Sequence, residues 1–174
     1  GRSQEVLYLL ARNREAWKVD RWQIFLDSPM AIEATDLYER HDDLFNPAAR
    51  KLWGGRRLDE ILPNLHCLRD AQQSMALNQI RNGAIIVAGG GMCTGGRIVH
   101  HLKHRLWRRE THLMFVGFQG HGTLGRRLVD GADRVGLLGE EVQVNAAIHT
   151  VGGLSAHAGQ AQVAAWDGAL PGRP

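Results

Sequence analysis

Apolar residues fall along the chain in short runs, separated by stretches with helical spacing. Val6, Leu9, Leu10 and Trp17 predict a helix over roughly Ser3 to Trp17. Ile24-Phe25-Leu26 is a compact apolar run closed by the turn signal Asp27-Ser28-Pro29, and it reads as a strand. Helices are expected from Met30 to about Arg40 and from Pro47 to Trp53, where Gly54-Gly55 breaks the second. Leu65 to Leu68 reads as a further strand, and Asp70 is placed to cap a helix running to Ile80. Ala84 to Ala88 is the clearest strand; it runs into Gly89-Gly90-Gly91-Met92-Cys93-Thr94-Gly95-Gly96 and then a basic helix from Arg97 to Arg108. Leu113 to Val116 is a strand ending at Gly117 to Gly122, and Thr123 opens a helix that ends near Gly131. Arg134 to Leu138 and Glu141 to Thr150 read as paired strands around Gly139, and a last helix is expected over about Ala156 to Trp166.

Strands and helices alternate, and the strands are continuous apolar runs. That pattern predicts an open, mostly parallel, Rossmann-like α/β sheet with helices on both faces. In such a sheet the ligand cleft lies beyond the carboxyl ends of the strands. Three loops, Asp27-Ser28-Pro29, Gly89 to Gly96 and Gly117 to Gly122, would share that edge.

A length of 174 residues fits one domain, and 44% apolar with 22% charged residues excludes a disordered chain. No apolar run approaches the roughly 20 residues of a membrane span. Two cysteines, Cys67 and Cys93, supply neither a disulfide framework nor a four-thiolate zinc site, so a reducing, cytoplasmic setting is expected. A net charge of +3 is compatible with an anionic partner. The chain opens on Gly1 rather than Met, which suggests a piece of something larger.

Glycines between a strand and a helix let backbone N–H groups approach a phosphate, and they equally serve close packing; Gly89 to Gly96 fits both readings. It is not a Walker A loop, because no Lys-Ser/Thr pair closes it. His100 and His104 stand four apart and would share a face, but Lys103, Arg105, Arg108 and Arg109 favour a solvated basic face over a metal site. In Ser155-Ala156-His157, Ser155 would cap a helix and His157 would lie in its first turn, able to donate a proton or bind an anion. Taken alone, Glu5 is a helix-surface carboxylate. His41, His66, His112, His121 and His149 have no ligand-like spacing. The sequence has no Gly-x-Ser-x-Gly elbow and no His-x-His-x-Asp-His cluster.

Taken in order, these segments resemble the β-CASP region of metallo-β-lactamase-fold nucleases. Gly1-Arg2-Ser3-Gln4-Glu5-Val6-Leu7 is similar to motif A, with Glu5 as its acid. Leu26-Asp27-Ser28-Pro29-Met30-Ala31 is similar to the segment that follows it in bacterial and archaeal members. Gly90-Gly91-Met92-Cys93-Thr94-Gly95-Gly96-Arg97 resembles the family's Ser-Gly-Met-x-x-Gly-Gly loop, with Gly90 in place of Ser. Gly122 to Leu128 and Gly139 to Val142 match further segments, and Leu154-Ser155-Ala156-His157-Ala158 resembles motif B, with His157 as its histidine.

The resemblance implies a β-CASP domain over residues 1–170 with a linker-like tail at 171–174. Such a domain caps a metallo-β-lactamase domain, which holds two zinc ions and is absent from this chain. The implied function is the substrate-binding part of a zinc-dependent ribonuclease, related to the cleavage and polyadenylation endonuclease and inactive as an isolated fragment. Glu5 and His157 would be catalytic. Ser155, Ala156, His157, Thr94 and Ser28 would bind the substrate phosphate, and no metal would bind to this fragment. RNA and the missing domain would be the partners, with no membrane; whether the parent forms a homodimer is left open. Motif C would follow Pro174, so DNA processing and a non-catalytic RNA-binding or assembly module stand as alternatives.

Overall fold

The computed structural model describes residues 1–154, 161, 165 and 166. The chain begins with α1 (Arg2–Arg12), which buries Gln4, Leu7 and Ala11. The helix is shorter than its apolar spacing suggests. Asn13 turns its side-chain amide onto the Leu9 carbonyl at 2.8 Å, and Lys18 adopts φ 51° before a 3-10 turn at Val19–Arg21. Trp17 is therefore off the helix and exposed.

β1 (Gln23–Asp27) is the middle strand of a parallel sheet, flanked by β2 (Leu65–Cys67) and β3 (Ala84–Ala88) in the order β2-β1-β3. Ile24 faces Leu65 on one side and Ile85 on the other. β1, in the centre, carries the fully buried Ile24, Leu26 and Asp27, whereas β3, on the edge, is half-buried throughout. α2 (Pro29–Arg40), α3 (Pro47–Trp53) and α4 (Leu58–Ile61) follow β1, and Ile32, Trp53, Leu58 and Ile61 join Leu7, Ile24 and Leu26 in the first core. α5 (Ala71–Ala76) starts in a capping box, with Asp70 accepting from the Gln73 N–H at 2.8 Å, as the sequence indicates.

After β3, α6 (Arg97–Arg105) leads to β4 (His112–Phe115), and α7 (Leu124–Val129) to β5 (Arg134–Leu137). Leu102, Leu106, Phe115, Leu128, Val135 and Leu137 form a second core. β6 (Glu140–Gln143) folds back antiparallel on β5 across Leu138 and Gly139, at φ 50° and 81°, as a two-residue hairpin requires. The second run of the expected pair does not continue to Thr150. Asn145 and Ala146 both donate to the Leu106 carbonyl, at 2.8 and 2.9 Å. The break frees β7 (Ala147–Thr150) to pair parallel with β4.

The architecture is thus mixed α/β with an open parallel sheet. The strands are divided among a three-stranded sheet, the β4-β7 pair and the β5-β6 hairpin. Among the described residues, no helix is long and apolar enough to cross a membrane.

Candidate nucleic-acid interface

The three loops singled out in the sequence meet. Ser28 follows β1, caps α2 by accepting from the Ala31 N–H at 3.3 Å, and is buried. A Cβ built on Gly89 would stand 2.8 Å from the Ser28 hydroxyl, so glycine there lets the loop after β3 lie on the loop after β1. Gln119, in the loop after β4, is buried and donates its amide to the carbonyls of Gly91 at 2.9 Å, Gly117 at 3.0 Å and Phe118 at 3.2 Å. The Gly125 N–H donates to the Met92 carbonyl at 3.1 Å and ties the start of α7 to the same junction.

Gly90 has φ 81°, and a Cβ there would meet the Gly95 carbonyl oxygen at 2.5 Å. Restoring the family-like serine, Gly90→Ser, is therefore expected to destabilise the chain by more than about 1 kcal/mol. Urea unfolding measures this, and an unchanged midpoint would reject the constraint.

A buried polar cluster lies behind these loops. Asp27 is fully buried at the end of β1. It accepts from the Ser74 hydroxyl, from Arg97 at the start of α6 and from His101 Nε2, each at 2.6 Å. Arg97 also donates to the carbonyls of Leu68 at 2.7 Å and Arg69 at 2.8 Å. Burial pushes the Asp27 carboxyl up, but the bonds from Ser74, His101 and Arg97 together hold it below its ordinary value. Burial pushes the His101 imidazole down, against its bond to Asp27.

Both shifts have the same sign in stability. An imidazole held low in the folded state binds fewer protons than in the unfolded chain, so stability falls as pH drops through about 6.5. Asp27 adds a second loss below about pH 3.9. The urea midpoint is expected to decline between pH 7.5 and 5, and His101→Gln to flatten that decline. An equal slope in the variant would refute the assignment.

Sequence reasoning missed this cluster and instead weighed His100 and His104, which are exposed. The signal was present: His101 follows Ile98 by three positions and precedes Leu102 on the apolar face of α6. The solvated basic face is also corrected. Arg105 donates to the Ile80 carbonyl at 3.1 Å and to that of Leu77, Arg108 to those of Ile80 and Asn78, and Lys103 pairs with Glu140 at 2.5 Å. Most of these cations hold the fold together rather than offering a face to solvent.

Thr94 is exposed in its loop, and Glu5 is exposed on the first turns of α1. Arg2, three residues before Glu5 and on the same helix face, lies against Gly117, where a Cβ would stand 2.9 Å from its guanidinium carbon. The Val151 N–H donates to the Phe115 carbonyl at 2.8 Å, so the chain leaves β7 beside the same loop. Ser155, Ala156 and His157 lie outside the described residues, as does most of the helix expected there. His112 and His149, which have no telling spacing in sequence, are brought together by β4 and β7 at 2.9 Å. Among the described residues, no three His, Cys, Asp or Glu side chains are grouped to hold a metal ion.

The Beta-Casp domain family matches residues 3–128. Ribonuclease TTHA0252 of Thermus thermophilus is 38% identical over 173 residues, covering 99% of this chain and 39% of that protein. Transcription termination factor FttA of Pyrococcus abyssi is 29% identical over 164 residues, covering 91% of this chain and 25% of its own length. The RNase J-like protein of Methanocaldococcus jannaschii is 28% identical over 135 residues, covering 78% of this chain and 30% of its own length. The chain thus spans between a quarter and two-fifths of these relatives.

Proposed function

On the premise that this chain belongs to the Beta-Casp domain family of RNA-processing nucleases, we propose that it is the substrate-binding part of a zinc-dependent ribonuclease. RNA is its substrate, and a metallo-β-lactamase domain of the longer protein is its partner. The observation that carries this reading is the meeting of the three strand-end loops with the start of α1 at one edge, where Arg2 lies on Gly117.

The described residues offer no donor set for zinc, so no step is derived through the metal within this chain. What its own residues supply is anion binding, orientation and a proton. Glu5 accepts a hydrogen bond from His157 and fixes its ring. Ser155, the Ala156 N–H and His157 hold the scissile phosphate, and His157 gives a proton to the departing oxygen. Thr94 adds a hydroxyl from the neighbouring loop. Ser28, buried as the cap of α2, acts on the phosphate by seating that loop.

The test is cleavage of end-labelled single-stranded RNA by the zinc-loaded longer protein, beside the 174-residue chain. Cleavage by the former alone, abolished by a chelator, is the expected result. Cleavage of DNA but not RNA would move the protein to DNA processing. Retention of RNA without cleavage would make it a binding module.

A further inference from the structure

Phe118 is 68% exposed, and it stands on a loop that is not loose. The buried Gln119 amide spans the carbonyls on both sides of it, Gly117 and Phe118, and reaches across to Gly91. Gly120 packs on Met92, whose sulfur would lie 3.7 Å from a Cβ at that position. The ring is thus held out from a braced backbone.

The residue before it, Gly117, carries the guanidinium of Arg2 on its backbone. Arg2 makes no ion pair among the described residues, and its Nε is buried without a hydrogen-bond partner there. A planar apolar ring and a guanidinium with no ion pair among the described residues therefore flank a single glycine. Stacking on aromatic rings beside a cation that meets the backbone is how proteins hold single-stranded nucleic acid. A phosphate oxygen supplies the charged acceptor that this half-buried guanidinium lacks among the described residues.

We infer that Phe118 and Arg2 form a one-nucleotide clamp for single-stranded RNA at the edge of the interface, with the Phe118 ring stacked on a base and the Arg2 guanidinium on the adjoining phosphate. The inference rests on RNA being the substrate and assigns two residues that the motif comparison leaves without a role. The braced loop means that little freedom is lost when the base stacks. The ring reads no base edge, so the clamp is tolerant of sequence.

The experiment is the affinity of the 174-residue chain for a fluorescein-labelled 12-nucleotide oligouridine and for an abasic RNA of equal length and charge. Circular dichroism checks that each variant keeps its fold. Phe118→Leu retains an apolar side chain but no plane, and it is expected to weaken oligouridine binding about 10-fold, as loss of one stacked base does. The same variant should bind the abasic RNA like the unaltered chain. Arg2→Gln is expected to weaken both ligands and to lessen the dependence of binding on salt. Phe118→Trp should bind oligouridine at least as tightly as the unaltered chain.

Equal affinities of Phe118→Leu and the unaltered chain for oligouridine would overturn the clamp, as would an equal loss on both RNAs. A change in oligomeric state in place of RNA affinity would overturn it by reassigning the ring to a protein contact. Failure of the unaltered chain to bind either RNA would also overturn it. The ribonuclease reading stands or falls separately, on cleavage by the longer protein.

Discussion

Replacing Asp27 with asparagine is expected to cost the folded chain about 3–5 kcal/mol, the usual loss when one partner of a buried ion pair is removed. Three donors converge on the carboxylate: the Ser74 hydroxyl, the Arg97 guanidinium and His101 Nε2. An amide at this position presents one acceptor and two hydrogens of its own, so a donor faces a donor and the Arg97 charge is left without compensation. The damage would reach the interface, because Arg97 opens α6 directly after the Gly89 to Gly96 loop. Total stability for a domain of this size is about 5–15 kcal/mol, so the variant would be near the limit of folding. Urea unfolding followed by circular dichroism measures the loss. If the variant is insoluble, Ser74→Ala, which removes one donor and leaves the ion pair, should lower the urea midpoint by the equivalent of about 1–3 kcal/mol. A loss under 1 kcal/mol for Asp27→Asn would show that the cluster is not what holds the loops.

The largest effect on activity is expected at His157. In the longer protein, His157→Ala should lower RNA turnover by about 100- to 10,000-fold, the range for a positioned acid, while leaving the unfolding midpoint unchanged. A residue that merely braced the site would lower the rate evenly at all pH values. A general acid must be protonated to act, so the unaltered enzyme should lose rate on its alkaline limb, and His157→Ala should lack that limb. Glu5→Gln tests the partner: it keeps the size of the side chain and removes the charge that steadies a protonated imidazole. It should shift the limb to lower pH with a smaller loss of turnover. Unchanged turnover in His157→Ala would remove the histidine from the mechanism.

Much of the fold was legible along the chain. Pro47 marks the first residue of α3 and Asp70 the cap of α5, and α2 starts at Pro29, one residue before the expected Met30. These are local signals, set by backbone geometry and by hydrogen bonds over three or four residues. Ile24 to Leu26 and Ala84 to Ala88 announced strands, and their parallel pairing followed from continuous apolarity. Where local signals were weak, the reading slipped. The helix at the start runs to Arg12 and not Trp17, because a side-chain amide on the Leu9 carbonyl ends it. The strand after Gly139 stops at Gln143, because Leu106, far away in sequence, claims the N–H groups of Asn145 and Ala146.

For the interface, the order of short motifs was enough to identify the family and to nominate Glu5, Ser28, Thr94 and the Ser155 to His157 segment. Motifs survive as local strings, because each must present a fixed set of atoms from one loop. Which distant side chains converge is a different kind of information. That Asp27, Ser74, Arg97 and His101 share one buried site, that Arg2 rests on Gly117, and that Gln119 bridges to Gly91 were decided only by the tertiary structure. Spacing in sequence reports neighbours within a turn of helix or across a hairpin. Contacts made by packing parallel strands and their crossovers have no such period, and burial then makes those contacts strong.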